Sequence, residues 1–412
     1  MDKNFKRVKF ACYTTNIAMS VVANLSPILF LTFHNLYSIS YSLLGALVLI
    51  NFGTQLLIDL VFSFFSHKFD ICKAVKITPF LTTMGLVAYA VIPLVFPSYA
   101  FFGILCGTLI FSASGGLAEV LISPVIASLP SDDPDREMSK LHSVYAWGVV
   151  PVIILSTVFL SIFGNENWQF LALIYAIIPL IAFILFLKSK IPQMETPQKV
   201  SGTLKLLKNK KLWLCVSIIF FGGAAECIMA QWCSGYIEQV FELPKIWGDV
   251  FGVALFAVML GIGRTLYAKR GKNIKTVLLA GSVGAVICYL ITALSDIPAI
   301  GLFACAFTGL CVSMLWPGSL IVAAEYFPAG GVFIYAMMAS GGDMGAALGP
   351  QLIGIITDTA TKLPALVEIS TQLSITPEQL GLKLGMLVGM LFPLSAIPLL
   401  IHIKKSKRNN LR

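Results

Sequence analysis

Four acidic residues lie within long apolar stretches of this sequence, where ionisable side chains are rare. At 1.5 Å per helical residue, Glu119 lies about 16 Å, Glu226 about 21 Å and Asp343 about 20 Å from the nearer end of its stretch. A charge at this depth of a bilayer costs at least about 2.5 to 3.5 kcal/mol unless it is paired or meets water. We therefore predict that these three carboxylates bind a coupling ion. Hydrogen bonding that only holds helices together is the alternative.

A row of polar residues accompanies the fourth acid, Asp59. Asn51, Gln55 and Asp59 are spaced at i, i+4 and i+8, so they share one helical face. Asp59 lies about 12 Å from His67, close to the end of its apolar stretch. We predict a gating contact for Asp59, with interhelical hydrogen bonding as the alternative. We also predict a gating contact for Arg264, which lies near the end of a later stretch.

Amide and aromatic side chains occur in the same apolar stretches. Carboxylates and amides can bridge neighbouring hydroxyl groups, and flat aromatic rings can cover the apolar face of a sugar. Packing is the alternative role for the two tryptophans, and a helix-end role is the alternative for the histidine. The predicted substrate-binding residues are Asn24, Asn51, Gln55, His142, Tyr145, Gln231, Trp232 and Trp316.

The first apolar stretch carries its own polar face, formed by Asn16, Ser20, Asn24 and Pro27. Pro27 can open the helix backbone, because proline removes one hydrogen bond and clashes with the preceding turn. An opened carbonyl, together with Asn24 and Ser26, would supply the converging oxygens that a sodium ion needs. Structural hydrogen bonding is the alternative for this face, and sodium is the alternative to protons as the coupling ion.

The composition places these side chains in a membrane protein. The chain has 412 residues, of which 57% are hydrophobic and only 12% charged, against roughly 25% charged residues in soluble domains. These values exclude a soluble enzyme. Hydropathy predicts twelve membrane-spanning helices, over 10–33, 40–66, 74–96, 99–129, 142–163, 168–187, 212–238, 248–268, 274–295, 297–327, 331–357 and 380–403.

Basic residues are distributed unequally between the two sides of these spans. Of the 29 lysines and arginines, all but Lys245, Lys362 and Lys383 fall in the termini and alternate loops that share one side. Because cytoplasmic loops carry an excess of Lys and Arg, this pattern predicts that both termini are cytoplasmic. Omitting one span would exchange the sides of all later loops and destroy the asymmetry.

A long polar stretch from Lys188 to Lys211 divides the spans into six and six. A shift of 202 residues aligns the basic turn after the second span with the basic turn after the eighth. Duplicated six-helix halves with a basic linker resemble the major facilitator superfamily. The resemblance implies an all-α membrane protein with the major facilitator fold, whose twelve helices form two pseudo-symmetric halves that rock about a midplane site. The predicted domains are an N-terminal half at 1–187, a linker at 188–211 and a C-terminal half at 212–412.

Two motifs narrow this resemblance. The fourth span contains Gly115-Gly116-Leu117-Ala118-Glu119, and the fifth begins Leu141-His142-Ser143-Val144-Tyr145-Ala146-Trp147-Gly148. They are similar to the fucose-proton symporter subfamily, in which a glycine-rich fourth helix with a Glu precedes Leu-His-x-x-Tyr-Gly-x-Gly. The first span has Asn24-Leu25-Ser26-Pro27 where the fucose transporter carries Leu-Asn-Asp, so its proton-carrying Asp has no counterpart here. The resemblance implies a sugar substrate and leaves the three midplane carboxylates as candidates for proton binding.

Other chemistry has no sequence support. No Gly-x-x-x-x-Gly-Lys-Ser/Thr loop occurs, which argues against an ATP-driven pump, and no His/Cys cluster has metal-ligand spacing. We expect no catalytic residues, no metal and no cofactor. The basic tail from Lys404 to Arg408 predicts contact with lipid headgroups and not with nucleic acid. The sequence therefore predicts a monomeric secondary transporter that imports a sugar or polyol with a proton by alternating access. An exporter or uniporter of another small solute is the alternative.

Overall fold

The computed structural model describes residues 3–65, 68–130, 134–191, 207–270, 273–327 and 331–409, and within these ranges the secondary structure is helical with no strand. The first helices are α1 (Lys3–Ile28), α2 (Phe30–Tyr37), α3 (Tyr41–Phe65), α4 (Ile71–Val95), α5 (Ala100–Ala127), α6 (Pro134–Phe163) and α7 (Trp168–Leu187). After the linker come α8 (Lys210–Val240), a single turn α9 (Lys245–Trp247), a π-helix at Gly248–Ala254, α10 (Leu255–Arg270), α11 (Ile274–Leu294), α12 (Pro298–Val312), α13 (Leu315–Tyr326), α14 (Gly331–Lys362), α15 (Pro364–Gln372), α16 (Pro377–Gly389) and α17 (Leu391–Asn409).

These helices follow the predicted spans. Among the described residues, nine helical segments are long and apolar enough to cross a membrane, and the bent pair α1 and α2 makes a tenth. The other two predicted spans, 142–163 and 331–357, fall on α6 and α14, which are 30 and 32 residues long. The all-helical membrane fold is thus confirmed, and the helices found are consistent with twelve spans. The bend of 48° between α1 and α2 follows Pro27 by two residues, as expected where proline interrupts helical hydrogen bonding.

The chain divides into two compact units, and the first comprises residues 1–38 and 50–200. Its helices pack through small residues that allow backbones to approach closely. A Cβ atom added at Gly107 of α5 would lie 2.5 Å from Cβ and 2.6 Å from Cα of Tyr89 on α4. Hydroxyl groups join the same two helices, since the Ser114 Oγ donates to the Thr78 carbonyl at 2.6 Å. This packing holds α5, and with it Glu119, in place.

The second unit comprises residues 39–49 and 201–412. Its glycine-rich segments bring α8 and α14 together, because a Cβ atom added at Gly223 would lie 2.6 Å from the Gly342 carbonyl oxygen. A Cβ atom at Gly341 would lie 2.8 Å from Cγ1 of Val216, and one at Gly349 3.0 Å from Cγ1 of Ile228. The glycines beside Glu226 and Asp343 therefore serve close helix packing.

Candidate functional site

Polar side chains in the first unit form a hydrogen-bonded group between α3 and α5. The Oδ1 of Asn51 accepts a hydrogen bond of 2.6 Å from the Ser112 hydroxyl and one of 3.0 Å from the Gln55 amide. Asn51 and Ser112 are buried, and Gln55 is half-buried. A buried amide oxygen needs such donors, since leaving it without one costs about 1 to 3 kcal/mol. The predicted face of α3 therefore meets the predicted face of α5.

Asp59 lies against α5 farther along the same face of α3. A Cβ atom added at Gly116 would be 3.1 Å from Oδ1 of Asp59 and 2.9 Å from the Gln55 carbonyl oxygen. Only glycine leaves room for this approach. The Oδ1 of Asp59 is shielded from solvent and has no hydrogen-bond partner among the described residues.

Glu119 follows Gly116 by one helical turn and is exposed. At about 100° per residue, Glu119 points within about 20° of the direction of Ser112, which contacts α3. Leu109, an exposed apolar residue of α5, is about 80° away around the helix. The carboxylate is close enough to Asp59 to interact with it electrostatically. Within the described part of the chain, it has no hydrogen bond or ion pair.

The polar face of α1 meets the start of α6. Asn16 donates to the Leu141 carbonyl at 3.0 Å, and the Ser20 hydroxyl donates to the Tyr145 carbonyl at 2.8 Å. Gly148 permits this approach, because a Cβ atom there would lie 2.7 Å from the Ser20 Oγ. The motif at 141–148 is thus attached to α1 through its backbone.

The other polar residues of α1 and of the motif at 141–148 do not form one shared hydrogen-bonded group among the described residues. Asn24 donates to the Ser20 carbonyl within α1 at 2.9 Å. Ser26 shares a hydrogen bond of 2.9 Å with the Tyr89 hydroxyl. The side chain of Tyr145 is 37% exposed. The side chain of His142 lies outside the described residues.

An ion pair joins two helices of the second unit. Arg264 of α10 donates through Nη2 to Oε1 of Glu226 on α8 at 3.2 Å. Its Nε donates to the Ser313 carbonyl at 3.1 Å. Ser313 lies at the break between α12 and α13, where an interrupted helix leaves carbonyl oxygens without a helical partner. The side chains of Arg264 and Glu226 are 40% and 18% exposed.

The second carboxylate oxygen of Glu226 does not take part in this ion pair. The Oε2 of Glu226 is shielded from solvent and has no hydrogen-bond partner in the described part of the chain. Sequence reasoning assigned Glu226 to ion binding and Arg264 to gating, and the structure brings the two side chains together. An ion or a polar solute that binds here meets a carboxylate already held by a guanidinium.

Trp316 and Asp343 lie beside this pair. The Trp316 ring packs on glycines of α8 and α14, since added Cβ atoms would lie 3.0 Å from Cζ3 at Gly223 and 2.5 Å from Cη2 at Gly342. Asp343 is buried and, with Glu226, acts electrostatically on the thiol of Cys227. Trp316 is half-buried, so part of its ring can contact a solute.

Trp232 and Gln231 differ in their surroundings although they are adjacent. The Trp232 ring is 2% exposed, and its Nε1 donates to the Pro350 carbonyl at 2.9 Å. Trp232 therefore joins α8 to α14 as a packing residue. Gln231 is buried and makes no hydrogen bond among the residues described, so its amide is available to a ligand.

Sequence reasoning missed a buried acid in the second unit. Asp249 is fully buried in the π-helix, accepts a hydrogen bond from the Ser234 hydroxyl and lies 3.6 Å from Nζ of Lys245. A signal was present, because Lys245 and Asp249 are spaced at i and i+4 at the start of an apolar stretch. Short π-helical segments within α-helices are frequent at functional sites.

Comparison with known proteins agrees with this architecture. The Major Facilitator Superfamily profile matches residues 11–350. A relative in Bacillus subtilis (strain 168), the uncharacterized MFS-type transporter YtbD, is 24% identical over 269 residues, which cover 62% of this chain and 66% of that protein, just under two thirds of its length.

Solved transporters share the fold at low sequence identity. A bacterial homolog of the human lysosomal transporter Spinster, in an inward-facing and unoccupied conformation, aligns with a TM-score of 0.75 at 11% identity and covers 98% of both chains. A D-xylose-proton symporter aligns at 0.73 and 14%, covering 97% of this chain and 99% of that one. The Escherichia coli fucose:proton symporter FucP aligns at 0.59 and 15%, covering 96% and 99%. This chain belongs to the Major Facilitator Superfamily of membrane transporters.

Proposed function

We propose that this protein imports a small polyhydroxylated solute, a sugar or polyol, together with a proton by alternating access. It does so as a monomer without a cofactor, in a bacterial cell membrane with both termini in the cytoplasm. The observation that carries the proposal is the exposed carboxylate of Glu119 within an apolar helix, on the same face of α5 as the Ser112 hydroxyl that donates to Asn51.

The surroundings of the acids favour Glu119 as the proton-binding group. Glu226 is already paired with Arg264, so its protonation would break an ion pair. Asp343 is buried, which restricts its exchange with water. Glu119 meets neither restriction, because its side chain is exposed and forms no ion pair within the described part of the chain. Asp59 and Arg264 then remain proposed gating residues.

Proton coupling is favoured over sodium coupling by the surroundings of the first helix. A sodium site there would use oxygens of Asn24 and Ser26 with an opened backbone carbonyl. The Ser26 hydroxyl is instead paired with the Tyr89 hydroxyl. Sodium would therefore have to compete with an existing hydrogen bond.

The substrate class is inferred from the side chains available to a ligand. Asn51, Gln55 and Gln231 offer amides, and Trp316 offers a half-buried ring. Amides with an aromatic surface suit hydroxyl groups attached to an apolar ring. The fold is shared with a D-xylose-proton symporter and a fucose:proton symporter. Asn24, Tyr145 and His142 stay proposed contacts, whereas Trp232 is better explained by packing.

The test is uptake into proteoliposomes across a panel of pentoses, hexoses and polyols, with a pH gradient and a sodium gradient imposed separately. We expect at least one member to accumulate under the pH gradient alone. Accumulation that requires sodium and ignores pH would overturn the proton assignment. Equilibration without accumulation under either gradient would show a uniporter.

Matched variants locate the proton site. Glu119→Gln should abolish accumulation but still allow the solute to exchange across the membrane, because the amide keeps the shape and loses the titratable group. Glu166→Gln makes the same change at an exposed residue in the short turn before α7 and should behave as wild type. If Glu119→Gln retained full accumulation and affinity, the carboxylate would be structural only.

A further inference from the structure

The start of α3 is attached to α14 through a carboxylate. The backbone N–H of Tyr41 donates to Oδ1 of Asp358 at 3.0 Å, and that of Ser42 donates to Oδ2 at 2.9 Å. The first N–H groups of a helix have no partner inside the helix. Asp358 is buried and thus caps a helix that begins more than 300 residues earlier in the sequence.

No residue preceding α3 replaces this cap. Ser40 stands where a serine commonly caps a helix. Its hydroxyl is 3.4 Å from the Leu43 nitrogen and also pairs with the Ser42 hydroxyl at 3.1 Å. The Ser40 contact to Leu43 is long for a hydrogen bond. The capping of the first two N–H groups therefore depends on Asp358.

Backbone contacts surround the cap. A Cβ atom added at Gly45 would lie 2.9 Å from Cα of Gln351, and one at Gly354 would overlap the Tyr41 carbonyl. The Gln351 amide donates to the Ser42 carbonyl at 3.2 Å. The two helices touch without intervening side chains, so a small separation would break the whole set. All of these contacts lie within the second unit.

The rest of α3 belongs to the first unit. Residues 39–49 cluster with the second unit, and residues from Ile50 onward cluster with the first, although Tyr41–Phe65 is one continuous helix. Beyond Ile50, α3 is joined to α5 by the bond between Asn51 and Ser112. A cycle that rearranges the two halves cannot preserve both attachments of a continuous helix.

We infer that Asp358 is a gating residue that holds residues 39–49 on α14 in this conformation and releases them when the transporter changes state. The cap is the attachment suited to release, because a carboxylate and a helix N-terminus are both well solvated when separated. The attachment to α5 is instead a hydrogen bond between two neutral side chains, Asn51 and Ser112, within the first unit. This inference rests on the alternating-access function proposed above.

The test is alkylation of a thiol introduced by Ser42→Cys, using a charged maleimide on the detergent-solubilised protein. Peptide mass spectrometry follows the modified residue separately from the native cysteines. Ser42 is half-buried, so the rate reports how often residues 39–49 leave α14. Asp358→Asn keeps the size of the side chain but removes its charge, and the single amide oxygen can accept only one of the two hydrogen bonds. We expect alkylation to be about tenfold faster.

Two further variants make the result specific. Gly354→Ala should also accelerate alkylation, because its new methyl group displaces the Tyr41 carbonyl. Asp296→Asn removes the carboxylate that pairs with Lys383 at 2.9 Å in the same unit and should leave the rate unchanged. Circular dichroism and size-exclusion chromatography verify that each variant is folded.

The outcomes are distinguishable. Equal rates in folded Asp358→Asn, Gly354→Ala and parent proteins would overturn the gating role. Equal acceleration by Asp296→Asn would show general loosening and would overturn it as well. The assay uses neither a substrate nor a gradient, so a failure of every uptake experiment would refute the proposed function without changing the alkylation result.

Discussion

Replacing glycines in α3 and α5 by alanine tests whether these helices touch where the candidate proton site lies. At Gly116, an added Cβ atom would be 2.8 Å from Cβ of Ile58 and 2.9 Å from the Gln55 carbonyl oxygen. Neither atom is the free end of a flexible side chain, so α3 must move. At Gly53 of α3, nothing lies within 4 Å of the added atom.

The two variants share one contribution and differ in another. Alanine favours a helix over glycine by about 0.8 to 1.0 kcal/mol, and this gain occurs in both Gly53→Ala and Gly116→Ala. Overpacking costs about 1 to 3 kcal/mol and occurs only at Gly116. The free energy of unfolding should therefore be lower in Gly116→Ala than in Gly53→Ala by about 1 to 3 kcal/mol. For a unit of about 200 residues this corresponds to about 2 to 12 °C in Tm.

The assay is thermal unfolding of detergent-solubilised protein, followed by fluorescence at one fixed heating rate. A third variant, Gly107→Ala, calibrates the scale. Its added atom would lie 2.5 to 2.6 Å from three atoms of Tyr89, two of them in the backbone. We expect the order of Tm to be Gly53→Ala, then Gly116→Ala, then Gly107→Ala.

The reasoning also predicts a functional change. Moving α3 away from α5 lengthens the 2.6 Å hydrogen bond between Ser112 and Asn51. The uptake rate per folded molecule should therefore be lower in Gly116→Ala than in wild type. An equal or higher Tm for Gly116→Ala than for Gly53→Ala would refute the close approach of these helices. A normal uptake rate per folded Gly116→Ala molecule would show that the close approach of α3 and α5 is not needed for transport.

Three further predictions concern other contacts. Arg264→Gln should lower Tm more than the double variant Arg264→Gln with Glu226→Gln, because the single change leaves a carboxylate without its cation. A thermal double-mutant cycle should give a coupling energy of about 1 kcal/mol, since the Arg264 side chain is 40% exposed. Additive effects of the two substitutions would contradict the ion pair. The pKa of Asp70 is lowered below its ordinary 3.8 by hydrogen bonds from Lys73, whose backbone N–H donates to Oδ1 of Asp70 at the start of α4. A lowered pKa stabilises the fold above the ordinary value and loses that effect as pH falls through the folded value, so the Tm difference between wild type and Asp70→Ala should be constant near neutral pH and shrink below about pH 4; a constant difference down to the lowest pH would argue against the cap. Trp232→Phe should lower the free energy of unfolding by about 1 kcal/mol through its lost hydrogen bond with unchanged substrate affinity, and a large change in affinity would return the residue to the binding site.

The sequence alone determined the membrane architecture. Apolar length predicts spans because a bilayer requires about 20 apolar residues per helix, and the predicted boundaries agree with the helices found. Basic residues at both termini and in alternate loops predict an even number of spans, because both ends of the chain then lie on the same side of the membrane. The predicted depths of Glu119, Glu226 and Asp343 also need only the sequence, because depth is a count of residues along a helix.

Helix-face periodicity determined part of the candidate site. The i, i+4 spacing of Asn51 and Gln55 correctly predicts that the two amides meet. It does not indicate which neighbouring helix they face. The contact with Ser112, 61 residues away, follows from how α3 and α5 pack.

The partners of the buried charges were decided only by the tertiary structure. Glu226 and Arg264 are 38 residues apart, and Asp358 caps a helix 317 residues away. Hydropathy places each residue along its own helix but says nothing about how neighbouring helices are rotated. The rotation is set by small-residue packing between backbones, as at Gly223 and Gly354, and it decides that Trp232 packs against a carbonyl while Gln231 beside it stays available to a ligand.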